Sequence, residues 1–162
     1  KVLREAIDIA RPEIEEKSKL QGVRVDVDAE VPEDLLAVGE RGELRHLFVN
    51  LVVNARDAMP RGGRVRASAL RRGETIVVTV EDEGTGIPAE IADRIFDPFF
   101  TTKPRDIGTG LGLSVSYGIV KAHHGRLSLE SVPGEGTRVH LDLPVDNGWD
   151  LTSSAQRIAP EG

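Results

Sequence analysis

The chain contains no cysteine, which excludes a disulfide framework and any thiolate-based metal or redox site. That absence is compatible with a reducing cytosol. No apolar run approaches the roughly 20 residues that a membrane-spanning helix needs, and no signal-peptide pattern opens the chain. Positive charge is in the minority, with 21 Lys and Arg against 27 Asp and Glu and a formal net charge of −6. That balance argues against a nucleic-acid surface. It leaves room for a phosphorylated small molecule, because backbone N–H groups and a bound metal can meet the phosphate charge. Also missing are a nucleophile elbow, H-E-x-x-H and the G-K-[ST] of a P-loop. What is present is 162 residues, 39% hydrophobic and 30% charged. This is the composition of one ordinary globular domain, long enough to bury its own core.

The pattern starts in a helix, with Val2, Leu3, Ala6, Ile7 and Ala10 on one side and Pro12 marking a break or kink. With no initiator methionine, the sequence reads as a segment of a longer protein. Residues 23–29 alternate as a half-buried strand does, and 35–39, "LLAVG", form a short strand candidate. A helix follows over 40–59, its core stripe Leu44, Leu47, Phe48, Leu51, Ala55 and Ala58. Two hairpins are expected. "RVRASALR" and "TIVVTVED" flank Arg72-Gly73, and "RLSLESV" and "TRVHLDLPV" flank "PGEG". Between them, "PAEIADRIF" predicts a short helix entered through Pro88, and 111–124 a longer one stopped by Gly125. The inward residues of that longer helix are expected to be Leu111, Val115, Gly118, Ile119 and Ala122. Residues 146–162 lose periodicity and read as a weakly structured tail beyond a domain of 1–145, in which Trp149 could dock on the body. Helices and hairpins alternating without a strand–helix–strand beat predict a two-layer α/β sandwich: one mixed sheet with helices on one face.

Three places carry chemistry. On the helix over 40–59, Glu43, His46, Asn50, Asn54 and Asp57 form a polar stripe beside the apolar one, and Asn50 and Asn54 face the same way. The plain reading is two satisfied core amides. The sharper one is that their oxygens help to hold a hard cation such as Mg²⁺. Next, Asp82 ends a strand and is followed by Gly84 and Gly86. A carboxylate there can accept from an exocyclic amine, and the glycines allow backbone to approach a flat ring. "GTGIPA" imitates the dinucleotide fingerprint, but Pro88 removes an N–H near the helix start and no βαβ unit follows. Last, "FDPFFTTKPRDIGTGLGLS" sets Phe96, Phe99 and Phe100 beside Gly108, Gly110 and Gly112 ahead of a helix. Its glycines suit either a hinge or a phosphate-binding loop at a helix N-terminus, with Lys103 and Arg105 adding cationic reach. His123, His124 and His140 lack metal spacing and read as surface or helix-end residues.

Taken in order, "NLVVNARDAM", "DEGTGIP", "FDPFFTTK", "GTGLGLS" and "GEGT" closely resemble the N box, first glycine box, F box, second glycine box and final glycine motif of one family. It is the catalytic ATP-binding domain of sensor histidine kinases, in the gyrase, Hsp90, histidine kinase and MutL superfamily. The resemblance spans residues 1 to about 145 and implies a Bergerat-type sandwich that holds ATP under a mobile lid. It implies Asn54 as the principal Mg²⁺ ligand with Asn50 supporting metal or phosphate, and Arg56 and Lys103 as phosphate contacts beside Asp57. Asp82 then reads the adenine amine, Gly84, Gly86 and Ile87 line the base pocket, and Thr137 closes it. Phe100, Thr101 and Thr102 belong to the anchored end of the lid. Gly108, Thr109, Gly110, Leu111, Gly112 and Leu113 wrap the phosphates.

No side chain of this chain is expected to act as a catalytic acid or base. Asn50 stands where the ATPases of the superfamily carry a water-activating carboxylate, and an amide is no general base. None of His46, His123, His124 and His140 has the context of the family's phosphoacceptor histidine. The implied function is therefore transfer of the ATP γ-phosphate to a histidine on a separate dimerisation and phosphoacceptor helical hairpin. The alternatives are an ATPase or serine kinase of the superfamily, or a nucleotide-sensing module without turnover. Implied partners are ATP or ADP, that hairpin domain and a response regulator receiver domain, with no nucleic acid and no direct membrane contact. The implied location is cytoplasmic.

Overall fold

Alternating side chains divide the strands of this protein into an aliphatic face and a charged face, and among the described residues helices cover only the first. The computed structural model describes residues 1–92, 94 and 112–145. In chain order these form α1 (Val2–Gln21), β1 (Val25–Glu30), α2 (Arg41–Asp57), β2 (Gly63–Arg72), β3 (Thr75–Asp82), α3 (Ala89–Ala92), α4 (Gly112–Ala122), β4 (Arg126–Val132) and β5 (Gly136–Pro144). The five strands make one sheet in the order β1-β2-β3-β5-β4. β1 runs parallel to β2, and every other pairing is antiparallel. The mixed two-layer sandwich expected from the pattern is what forms.

On the inner face Val65, Ala67 and Ala69 of β2, Ile76, Val78 and Val80 of β3, Leu141 and Leu143 of β5 and Leu127 of β4 are buried. Above them α2 packs against both α1 and α4. Its Leu47 and Val52 are wholly buried, with Phe48 and Leu51 nearly so. Each such side chain stabilises the fold by about 1.5–3 kcal/mol relative to exposure. The open face carries a charge row across all five strands: Asp28, Arg66, Glu81, Arg138 and Glu130, in register from neighbour to neighbour. The signs alternate, so each strand meets an opposite charge on its neighbour. Arg138 Nη2 lies 3.1 Å from Glu81, and its Nη1 3.7 Å from Glu130. A face so charged has nothing to gain from a second helical layer.

Four expectations are corrected. Helix α1 runs through Pro12 to Gln21, and its buried side continues to Ile14 and Ser18. Asp8, whose carbonyl loses its helical donor at Pro12, is exposed like Pro12 itself, so water can meet that carbonyl. Residues 35–39 form no strand, only an isolated bridge between Ala37 and Val145. The turn before them and the helix cap at Glu40 leave too little length for a ladder. The inward face of α4 is Leu113, Ser116 and Val120, with Ile119 half-buried, whereas Val115, Gly118 and Ala122 are exposed. Hydrophobicity placed the stripe one residue, or about 100°, away from the face that meets α2. Ala58 is a half-buried cap rather than the end of the α2 stripe.

His123 does lie at a helix end, but its side chain is only 7% exposed. Its Nδ1 lies 2.7 Å from the Ile119 carbonyl, and its Nε2 accepts the Glu40 N–H at 3.0 Å. The ring therefore donates from Nδ1 and pins the end of α4 to the start of α2. The Glu40 carboxylate caps α2 by accepting from the Gly42 and Glu43 N–H groups. Those bonds hold its carboxyl below the ordinary range. Among the described residues no helix is long and apolar enough to cross a membrane. The tail expected over 146–162, with Trp149, lies outside the described residues.

Candidate functional site

Three segments far apart in sequence converge beyond the end of β3. The first is the C-terminal end of α2. Along that helix Glu43 and His46 are exposed, whereas Asn50, Asn54 and Asp57 are half-buried, so the polar stripe sinks toward the core at its far end. The second is the loop after β3. Asp82 is 6% exposed, and its Oδ1 accepts the Gly84 N–H at 2.9 Å. The Thr85 N–H donates to the Ala58 carbonyl at 2.9 Å, pressing this loop onto the cap of α2. Gly84 has to be glycine here, because a Cβ would stand 2.3 Å from the Ala58 carbonyl oxygen.

The third segment is the β4–β5 turn. Gly134 N–H donates to the Thr85 carbonyl at 2.7 Å. Gly86, at φ +73°, packs so tightly on this turn that a Cβ would lie 2.3 Å from the Val132 carbonyl oxygen. Thr137 is buried directly across from Asp82 in the β3–β5 register. Ser131 joins all of this. Its Oγ accepts the Ile87 N–H at 2.7 Å, donates to the Gly136 carbonyl at 3.0 Å and lies 2.8 Å from Thr137 Oγ1. Sequence reading missed Ser131. The available signal was its place after Leu127 and Leu129 on the inward alternation of β4, where a polar side chain needs partners.

Burial pushes the Asp82 carboxyl above its ordinary value, and hydrogen bonds from the backbone of Gly84 and Thr137 partly oppose that shift. The result is a desolvated acceptor at a strand end, ready for an N–H donor. Asn50 and Asn54 present two amide groups from one helix face. No group of three His, Cys, Asp or Glu able to hold a metal occurs among the described residues. The donor set therefore fits a cation that takes one or two protein oxygens and draws the rest from phosphate and water, as Mg²⁺ does.

Other expected site residues have these surroundings. Arg56 is 2% exposed. Its Nη2 donates to Gln21 Oε1 at 2.9 Å, and its Nη1 lies 3.7 Å from Asp57. The guanidinium is thus enclosed between α1 and α2, with Gln21 and Asp57 as its partners. Asp57 also faces Lys17 of α1 at 3.6 Å. Leu113 packs half-buried against the core, and Gly112 begins α4. Phe96, Phe99, Phe100, Thr101, Thr102, Lys103, Arg105, Gly108, Thr109, Gly110 and Leu111 lie outside the described residues.

Residues 39–147 match the family described as histidine kinase-, DNA gyrase B- and HSP90-like ATPase. The chain is 39% identical over 143 residues to the sensor kinase CckA of Brucella abortus (strain 2308), covering 78% of this chain and 15% of that protein. It is 36% identical over 131 residues to sporulation kinase A of Bacillus subtilis (strain 168), covering 81% and 21%. The chain thus spans about a fifth or less of the length of these relatives. Among solved structures it resembles a nucleotide-free catalytic domain of the histidine kinase ThkA. The TM-score is 0.71 at 30% identity, over 88% of this chain and 90% of that one. Full-length ShkA in complex with AMPPNP shares the fold, with a TM-score of 0.74 at 23% identity over 89% and 29% of the two chains. Family match and fold agree, and this chain belongs to the histidine kinase-, DNA gyrase B- and HSP90-like ATPase family as a histidine-kinase catalytic ATP-binding domain.

Proposed function

We propose that this domain binds Mg-ATP and passes its γ-phosphoryl group to a histidine on a separate helical-hairpin domain, from which a response regulator receiver domain takes it. The observation that carries this reading is the buried Asp82 carboxylate, set against Thr137 and pressed through Gly84 onto the end of the helix that bears Asn50 and Asn54. Asp82 accepts from the 6-amino group of adenine. Gly84, Gly86 and Ile87 give the base a flat backbone wall. Asn54, supported by Asn50, offers amide oxygen to Mg²⁺, which when bound offsets charge across the phosphates.

In the transfer the bond from the γ-phosphorus to the β,γ-bridging oxygen breaks and ADP leaves. A P–N bond forms to an imidazole nitrogen of the acceptor, whose proton passes to a base on the acceptor domain. The protein supplies positioning and charge rather than covalent chemistry. Water is a poor competitor, because the amide of Asn50 cannot deprotonate it. The test mixes this chain with γ-labelled ATP, Mg²⁺ and the helical-hairpin domain of its own kinase. The expected product is a label on a histidine of the hairpin, lost in acid and kept in base. Label on a serine, or none on the hairpin, overturns the reading.

A further inference from the structure

We propose that Ser131 sets the hydrogen-bond polarity of Thr137, and so makes the site accept a 6-amino purine and reject a 6-oxo purine. The argument is a count of one hydroxyl's capacities. A serine oxygen has one proton and two lone pairs. At Ser131 the Ile87 N–H occupies one lone pair at 2.7 Å. The Gly136 carbonyl at 3.0 Å can only accept, so it takes the proton. What remains for Thr137 Oγ1, 2.8 Å away, is the second lone pair. Thr137 must therefore donate to Ser131, and toward anything else it presents lone pairs alone.

Its neighbour across the β3–β5 register is Asp82, a second acceptor, already fixed by the Gly84 N–H at 2.9 Å and by the backbone of Thr137. Two buried acceptors side by side suit an exocyclic –NH₂ with its two protons. They repel the carbonyl oxygen that hypoxanthine or guanine carries at the same position. Ser131 reaches no ligand in this scheme. It is a positioning residue that acts through Thr137, and it ties the β3 loop, β4 and β5 together while doing so. The proposal rests on the adenine reading of the site given above and adds the residue that enforces it.

The experiment titrates this chain and its variants with ADP and with inosine diphosphate at one fixed Mg²⁺ concentration, and reads the ratio of the two affinities. The unaltered chain favours ADP. Ser131→Ala frees the Thr137 hydroxyl to turn and donate, and narrows the ratio about tenfold, the worth of one hydrogen bond. Ser131→Cys keeps the shape with a weak hydrogen-bonding group and narrows it too, which serves if the alanine variant does not fold. Ser131→Thr restores the hydroxyl and the ratio. Thr137→Val narrows the ratio by itself, and in that background Ser131→Ala or Ser131→Cys adds nothing. Equal weakening of both nucleotides in the Ser131 variants, or a full extra effect on top of Thr137→Val, overturns the inference and leaves Ser131 a structural clasp. An unaltered chain that binds both diphosphates equally overturns the 6-amino recognition by Asp82 and this inference together, whereas the Ser131 outcomes above overturn the inference alone. One that binds neither overturns the adenine reading and this proposal together.

Discussion

Asp82, proposed above to read adenine, shows how recognition can cost stability. Folding raises its pKa above the ordinary 3.8, because burial disfavours the ionised carboxylate. The native protein thus holds that proton more tightly than the unfolded chain does. Ionised Asp82 is a cost at neutral pH, and the cost fades as pH falls through the raised value toward 3.8. Asp82→Asn should therefore raise the Tm of the nucleotide-free protein at neutral pH, with the gain shrinking as the buffer is made more acidic. The same change should weaken ATP binding by about 1–3 kcal/mol, because an amide donor then faces the adenine amine. Calorimetry in both modes checks the pair. Asn54→Ala makes a different prediction. The variant should lose most of the Mg²⁺ enhancement of ATP affinity while keeping its metal-free affinity. Equal Mg²⁺ responses in variant and parent would leave Asn54 a core amide only.

At the scale of elements, the site depends on how closely α2 and the loop after β3 approach. Gly84→Ala forces a Cβ to 2.3 Å from the Ala58 carbonyl oxygen, and backbone stands on both sides of that contact. One side has to move. The expected cost is about 2 kcal/mol in urea denaturation, with loss of adenine binding in parallel. The tie between α1 and α2 is of another kind. Arg56 holds Gln21, its Nε is the only buried side-chain N or O without a partner among the described residues, and Lys17 lies against Asp57. Arg56→Met should keep the fold, since a buried ion replaced by an apolar side chain of similar length is often neutral. Nucleotide affinity should change less than about twofold, because the guanidinium faces α1. A tenfold loss of ATP affinity at unchanged stability would return Arg56 to the phosphates.

At the scale of the whole chain, each of the four histidines has a setting of its own. His46 and His124 are exposed, His123 is committed to Glu40 and Ile119, and His140 lies on the charged sheet face beside Thr79. None of the four sits on a helical hairpin. Incubated alone with Mg-ATP, the chain should release no phosphate above the buffer rate and should acquire no label. Vigorous hydrolysis would point to a base that Asn50 does not provide, and to the ATPase branch of the superfamily. Across the sheet, the charge row from Asp28 to Glu130 keeps the face away from the helices in water.

The sequence by itself determined whatever depends on neighbours a few residues apart. Two hairpins, the stripe of α2 from Leu44 to Ala55, and the placement of Asp82 at a strand end with glycine after it all follow from periods of two and 3.6 and from turn chemistry. The order of the glycine motifs was equally legible, because motifs are local strings. Only the tertiary structure decided which polar groups are buried and with whom. Ser131 looked like one of many serines until β5 and the β3 loop brought Gly136, Thr137 and Ile87 to its oxygen. His123 looked like a helix-end histidine until Glu40, 83 residues away in sequence, donated to it. The burial of Arg56 against Gln21 of α1 was decided the same way, and the face of α4 was set by the packing of Ser116, which no hydrophobicity scale selects. A side chain's polarity is a local property, but whether that polarity is satisfied depends on atoms that sequence distance does not place.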